Sequence, residues 1–439
     1  MKPISKLRFD SLAGYARAPF APLVVSELGW YENANEKVLG VVLYDLHDKD
    51  YGYVVLGRDR SKRYRAVKPV SSLATAKEAR QKLRVELAKC AKWKAEQFYQ
   101  GDETGEPLNF FKPIVKIENR HPSFVEVTSR RWKSPARALI SEMMNWYEDV
   151  DGNFVQQFQS TGFDARLWEL YLYALFTELG YGFNRNYVAP DFLCEGVPGK
   201  FFVEATTVNP SAVPPTEEQQ AEQAYFQHYV PIKFGSALFS KLKKRYWEQP
   251  HVGDLPLVFA IQDFHQPRSM TWSAYALVEY LYGIRQMVDV NADGSTEDVT
   301  ERVEKYKWGD KEIPAGFFLQ PDTEHISAVI ANPSGTLAKF DRMGFLGGFG
   351  DRRIKMFREG MCFRESEIPE EFAAEVHSPG YSETWVEGLF VYHNPRAIHP
   401  LPVNFIPGAA HVTSEGGEIR SLMPPFHPIG SLTLIMAPA

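Results

Sequence analysis

Apolar positions recur along this chain in two rhythms, every second residue or every three to four, and the switches between them mark its elements. Val38–Asp45 and Tyr51–Leu56 read as strands flanking the turn-like His47-Asp-Lys-Asp50, with Tyr64–Val70 as a third. Thr75 to about Tyr99 is rich in Lys and Ala, has no Gly or Pro, and predicts a helix. Gly101–Pro107 predicts a loop. Phe124-Val-Glu-Val-Thr128 reads as a strand, and Pro135–Tyr147 as a helix with Pro135 in its first turn. Helical spacing returns over Phe163–Leu179 and stops at Gly180. Residues 182–208 are strand-rich, with Gly196-Val-Pro-Gly199 as the turn. A Gln/Glu-rich segment after Pro210–Pro215 leads into a helix ending near Trp247. Leu255–Gln262 is a short apolar run of the buried-strand type, and Thr271–Val288 a further helix. Beyond residue 310, short strand-like runs alternate with glycines and proline clusters, which predicts a β-rich region with long loops.

A chain of 439 residues suggests two or three domains. The expected boundaries give a basic α/β region over 1–125, a central α/β core with flanking helices over 126–310, and a β-rich region over 311–439. A composition of 44% hydrophobic and 24% charged residues excludes a disordered chain, a collagen and a coiled-coil rod. The net charge of −6 excludes a histone-type polycation but leaves room for local patches. Cys90, Cys194 and Cys362 are scattered and form no Cys-x-x-Cys pair, so neither a disulfide framework nor a structural zinc site is expected, and a reducing cytoplasm is the default. No apolar run approaches the ~20 residues of a membrane span, and the first ten residues lack a secretory h-region.

The chemistry is concentrated between Phe163 and Pro210. Glu169 lies on the amphipathic helix, Asp191 follows Pro190 at a strand boundary 22 residues later, and Glu204 comes 13 residues further on, inside Phe201-Phe-Val-Glu-Ala-Thr-Thr207. On a strand, Phe202, Glu204 and Thr206 share one face, while Phe201, Val203 and Ala205 share the other and would pack on a helix. A carboxylate amid so apolar a strand is costly unless compensated. A hard divalent cation shared with Asp191 is one compensation.

A helix bearing Glu169, then Gly180-Tyr181, Pro190-Asp191, a hairpin and Val203-Glu204-Ala205-Thr206 resembles the core of the PD-(D/E)XK nuclease superfamily, which includes many restriction endonucleases and Holliday-junction resolvases. A helix and then the apolar strand Leu255–Gln262 continue the order, so the resemblance spans residues 163–262. It implies a restriction-endonuclease-like mixed sheet flanked by helices. It also implies Mg²⁺ or Mn²⁺ on Asp191 and Glu204, with Glu169 near the metal or orienting its water, and phosphodiester hydrolysis in nucleic acid, DNA favoured over RNA. No membrane partner is implied, and a homodimer stays open. The superfamily places a lysine two residues after the second acid, where this chain has Thr206. Three outcomes follow: another cation takes the place, the metal suffices, or the chain is inactive and binds nucleic acid or a protein partner.

Lys233, Lys241 and Lys244 on the following helix are cations that could migrate in, and with Arg245 they offer phosphate contacts. Lys200 is four strand positions from Glu204, about 13 Å at ~3.3 Å per residue, too far to substitute. Between Arg58 and Lys94 thirteen Lys/Arg face three Asp/Glu, a local charge of +10 that suits a polyanion equally with a solvated helix face. Asp289-Val-Asn-Ala-Asp-Gly294 matches the start of an EF-hand loop, but Thr300 stands where a bidentate Glu is needed, so a polar loop between helices is the better reading. Gly344-Phe-Leu-Gly-Gly-Phe-Gly350 lacks the Lys-Ser/Thr of a P-loop and reads as a surface loop.

Overall fold

The computed structural model describes residues 1–103, 106–290, 296–364 and 368–437. The first strands follow the period-two pattern closely. β1 (Lys2–Ile4), helix α1 (Lys6–Ala13), β2 (Val25–Glu32), β3 (Val38–Asp45), β4 (Tyr51–Arg58) and β5 (Tyr64–Leu73) give a five-stranded antiparallel sheet in sequence order. Helix α2 (Ala76–Cys90) starts at Thr75, whose hydroxyl accepts from Glu78 N, and buries Ala79, Leu83 and Leu87 against Val38, Val42 and Val55. It ends at Cys90, before the expected Tyr99.

Among the described residues four further helices follow before the main sheet: α3 (Pro122–Ser129), α4 (Ser134–Met144), α5 (Phe154–Gln159) and α6 (Phe163–Glu178). Residues 124–128 are therefore helical, not a strand. Pro122 opens the helix, and Phe124 and Val127, three apart, are the buried positions. Helix α6 is apolar nearly all round and correspondingly buried from Leu167 to Phe176.

The main sheet is mixed and has eight strands. β6 (Gly182–Asn184), β7 (Phe192–Gly196) and β8 (Gly199–Val208) form an antiparallel meander. Helices α7 (Glu217–Ala221) and α8 (Val230–Leu242) then lead to β9 (Leu257–Asp263), which pairs parallel to β8. Helix α9 (Ala274–Tyr282) stops at Gly283, whose φ of +69° is the left-handed conformation of a helix C-cap. The hairpin β10 (Ile284–Val290) and β11 (Thr296–Arg302) follows, so the helix expected to Val288 is shorter and the EF-hand-like segment is flanked by strands. Its residues 291–295 lie outside the described residues. A second hairpin joins β12 (Lys305–Trp308) and β13 (Lys311–Pro314).

Strands past residue 311 complete the same sheet. β14 (Ala328–Ala331) pairs parallel to β9. After helix α10 (Leu337–Leu346) and the strands β15 (Lys355–Phe363) and β16 (Glu370–Glu375) come β17 (Phe390–His393), β18 (Ala410–Glu415) and β19 (Glu418–Leu422). The order is β19-β18-β17-β14-β9-β8-β7-β6, so a boundary at 310/311 falls between strands of one sheet. β20 (His427–Met436) closes a separate three-stranded sheet with β15 and β16.

Both faces of the main sheet are covered. Val203, Ala205, Val258, Ala260, Ala328 and Ile330 pack toward α6, while Phe202, Phe259, Ile261 and Val329 pack toward α8 and α9. Gly344 lies inside α10, where a Cβ would come within 2.4 Å of Pro135 O, so this part of the glycine-rich run serves close helix packing against α4 rather than a surface loop. Among the described residues no helix is long and apolar enough to cross a membrane.

Candidate functional site

The register of the β7–β8 hairpin positions the acids. Phe192 is opposite Val203, and one further step sets Asp191 across from Glu204. The backbones lock this arrangement: Asp191 N donates to Glu204 Oε2 at 3.2 Å, and Ala205 N donates to Asp191 Oδ2 at 2.7 Å. Like charges directly opposed in a sheet repel. Burial, then Glu204, then Glu169 push the Asp191 carboxyl well above the usual range, against the pull of Lys241.

Glu204 faces α8 and is only 4% exposed. Its Oε1 receives Lys241 Nζ at 2.5 Å and the Tyr246 hydroxyl at 2.5 Å. Burial and the adjacent Glu204 raise the Tyr246 phenol, so it stays a donor. Thr206 follows on the same face, half-buried opposite Ile261. The other cations go elsewhere. Lys233 donates to Asn209 O at 2.6 Å and Ser211 Oγ at 3.1 Å, and burial lowers its pKa. Lys244 is exposed, and Arg245 pairs with Glu248 and Asp322.

Glu169 comes from α6, on the opposite side of Asp191. The Arg166 guanidinium lies 2.8 and 2.9 Å from its two oxygens, and Tyr147 OH donates to Oε2 at 3.2 Å. Burial raises the Glu169 carboxyl and Arg166 opposes the rise. Glu169 and Asp191 line one cleft of about 30 Å³ with Tyr147, Arg166 and Arg185, while Glu204 sits behind Asp191. Arg185 Nη1 donates to Asp191 O at 2.9 Å. The structure thus joins Asp191 to both other acids, but Glu169 and Glu204 approach it from different sides.

Among the described residues no group of three or more His, Cys, Asp or Glu side chains gathers closely enough to hold a metal. Asp191 and Glu204 are a two-carboxylate set of the kind that holds a Mg²⁺-type cation, which binds through one or two carboxylates and keeps waters or phosphate oxygens, although Lys241 already pairs with Glu204.

Sequence reasoning passes over Arg166, Tyr147, Arg185 and Tyr246. Arg166 is legible in principle, three residues before Glu169 on one helix. Tyr246 and Arg185 are brought in by tertiary packing and leave no local signal. In the basic 58–94 segment, Arg58, Arg60, Arg63, Arg65, Lys68, Lys82 and Lys89 are ion-paired, several with acids outside it such as Glu142 and Asp102. That compensation shrinks the field offered to a polyanion.

Compared with known proteins, the chain matches no family model, no curated protein and no solved structure.

Proposed function

We propose that the chain is a metal-dependent phosphodiesterase with a restriction-endonuclease-like core, acting on nucleic acid, with DNA favoured over RNA. The observation that carries this reading is Lys241 Nζ on Glu204 Oε1, with Asp191 directly across the hairpin from Glu204. The sheet order β9-β8-β7 with α6 and α8 on opposite faces is compatible with such a core.

In this reading Asp191 and Glu204 hold Mg²⁺ or Mn²⁺, and Lys241 supplies from a helix the charge that Thr206 lacks on the strand. When bound, the metal supplies an acidified water and neutralises charge on the attacked phosphate. With Glu204 engaged by a cation, the Lys241 ammonium would be free to donate to a phosphate oxygen. Arg166 fixes the Glu169 carboxylate at the cleft, where it would accept a hydrogen bond from a water held there.

The test is cleavage of single- and double-stranded DNA and RNA with Mg²⁺, Mn²⁺ or EDTA. Metal-dependent cleavage that vanishes in Asp191→Ala and Glu204→Ala is expected. No cleavage with either metal, or a Glu204→Ala chain as active as wild type, overturns the reading. A second reading is favoured by the 4% exposure of Glu204 and the arginine already on Glu169: a chain that keeps the fold and binds nucleic acid without cutting it. Salt-dependent, metal-independent binding without cleavage is its signature.

A further inference from the structure

Beside the acidic cleft lies a second one of about 190 Å³, which shares Arg185 and Glu148 with it. Three segments distant in sequence build its walls: Tyr15 and Arg17 after α1, Trp146 after α4, and Tyr173 and Phe183 from α6 and β6. Tyr15 and Tyr173 stack with centroids 5.1 Å apart and planes 4° apart, and Phe183 leans on Tyr173 at 4.8 Å. One part of the wall is thus aromatic and mutually braced, and Pro19, Pro22 and Thr177 complete it. At this volume, below the ~300–1,000 Å³ of pockets for drug-sized ligands, the cleft takes one flat ring system.

Arg185 forms the partition between the two clefts. Its guanidinium lies 4.8 Å from the Tyr147 ring centroid and 4.6 Å from that of Phe192, and Nη1 is taken by Asp191 O. Among the described residues its Nη2 is buried and has no hydrogen-bond partner within reach, with Tyr147 the nearby hydroxyl that it acts on. A buried cationic donor left unpaired is costly, and a guanidinium fork suits phosphate oxygens. Arg17, at the other end, is already engaged by Asp10 and Glu27. Arg185 is therefore the cation of this cleft with a donor to spare, and its Nη1 already reaches Asp191 O.

We propose that this cleft receives one unpaired base of the nucleic acid whose backbone passes Asp191, with the adjoining phosphate on Arg185. This rests on the phosphodiesterase reading above and narrows its substrate to single-stranded or locally unpaired nucleic acid. A base in a duplex is paired and stacked on both faces, and it enters a side cleft only after leaving the helix. Aromatic walls hold any base through its π-face, without a sequence requirement.

The experiment is binding without catalysis. Wild-type chain in EDTA is titrated into fluorescent single-stranded oligonucleotide, the matching duplex, and a free mononucleotide as competitor. Single strand is expected to bind at least about ten-fold tighter than duplex. Trp146→Ala should lower single-strand affinity by about five- to a hundred-fold, as for loss of one base–aromatic stack, and leave duplex binding unchanged. Trp146→Phe should restore most of it. If Trp146→Ala fails to fold, Arg185→Gln and the quenching of 2-aminopurine placed in the strand give the same decision. Equal binding of strand and duplex, an unaffected preference in the variants, or tight capture of the free mononucleotide with no gain from the polymer overturns the proposal. Because no metal is present, a chain that prefers single strands but never cleaves keeps the base cleft and loses the phosphodiesterase. Cleavage without strand preference does the reverse.

Discussion

Lys241 Nζ lies 2.5 Å from Glu204 Oε1, joining the last turn of α8 to the middle of β8. The carboxylate is 5% exposed and the lysine 25%, so the pair is sealed on the acid side and reachable from the lysine side. Removing the lysine leaves a buried carboxylate with Tyr246 OH and Asp191 N as its hydrogen-bond donors among the described residues.

Lys241→Met should therefore cost about 2–4 kcal/mol, toward the lower end of values for breaking a buried pair because the lysine is partly solvated. The double variant Lys241→Met/Glu204→Gln should recover much of that loss. A urea-denaturation cycle over the four chains measures the coupling. A single-variant cost under about 0.5 kcal/mol would place the pair with weak surface bridges.

The Tyr246 hydroxyl gives a smaller effect through the same oxygen. Tyr246→Phe removes one hydrogen bond to a charged acceptor and leaves the ring packed near Phe259, so a loss of about 1.5–3 kcal/mol is expected. If Lys241 alone satisfies Oε1, the denaturation midpoint of Tyr246→Phe will match wild type.

The acids and the strand that carries Glu204 are legible because their cause is local. Alternation over Phe201–Thr207 sorts Glu204 from Val203, and the Gly196–Gly199 turn sets the register that opposes Asp191 to Glu204. The basic spacing on α8 includes Lys241 but does not select it over Lys233 and Lys244, because the choice depends on how α8 lies on β8. Phe124–Thr128 misleads because β-branched residues carry the composition of a strand while Pro122 and the Phe124/Val127 spacing carry the helix. The continuity of the main sheet across residue 310 does not show in sequence for a different reason. Val258 finds its partner Ala328 seventy residues later, and no local pattern reports so distant a pairing.

A second buried ionic cluster sits away from the site. Glu383, fully buried, takes Arg342 through Nε and Nη2, both at 2.7 Å, with Lys339 at 3.3 Å, Arg358 at 3.6 Å and Tyr381 OH at 2.8 Å. Burial alone would raise its carboxyl, but Arg342, Arg358 and Lys339 hold it well below the usual range. Glu383→Gln strands three buried cations beside Glu387 and should cost about 3–5 kcal/mol. Thermal unfolding of the variant against wild type measures it. A shift within error would mean that Glu387 and backbone acceptors suffice for all three cations.

The histidines of β17 and β18 give the chain an acid-sensitive element. His411 Nε2–H donates to Ile406 O at 3.0 Å, so its Nδ1 is the acceptor for His393 Nε2–H at 2.9 Å, and both rings are neutral. Burial, then the neighbouring His411, hold His393 down at about 4, and burial lowers His411 against its bond to Ile406. In the unfolded chain both titrate near ~6.5. Above that value neither state binds the proton and the stabilisation is complete. As the pH falls toward about 4, the unfolded chain takes protons that the folded one refuses, and stability falls. His393 alone should account for about 3 kcal/mol across that window. Urea midpoints measured from pH 6.5 to 5, above the range where most carboxylates titrate, should decline in wild type and stay flatter in His393→Gln, whose amide still donates to His411 Nδ1. Equal slopes for the two chains would show that the proton is taken up elsewhere.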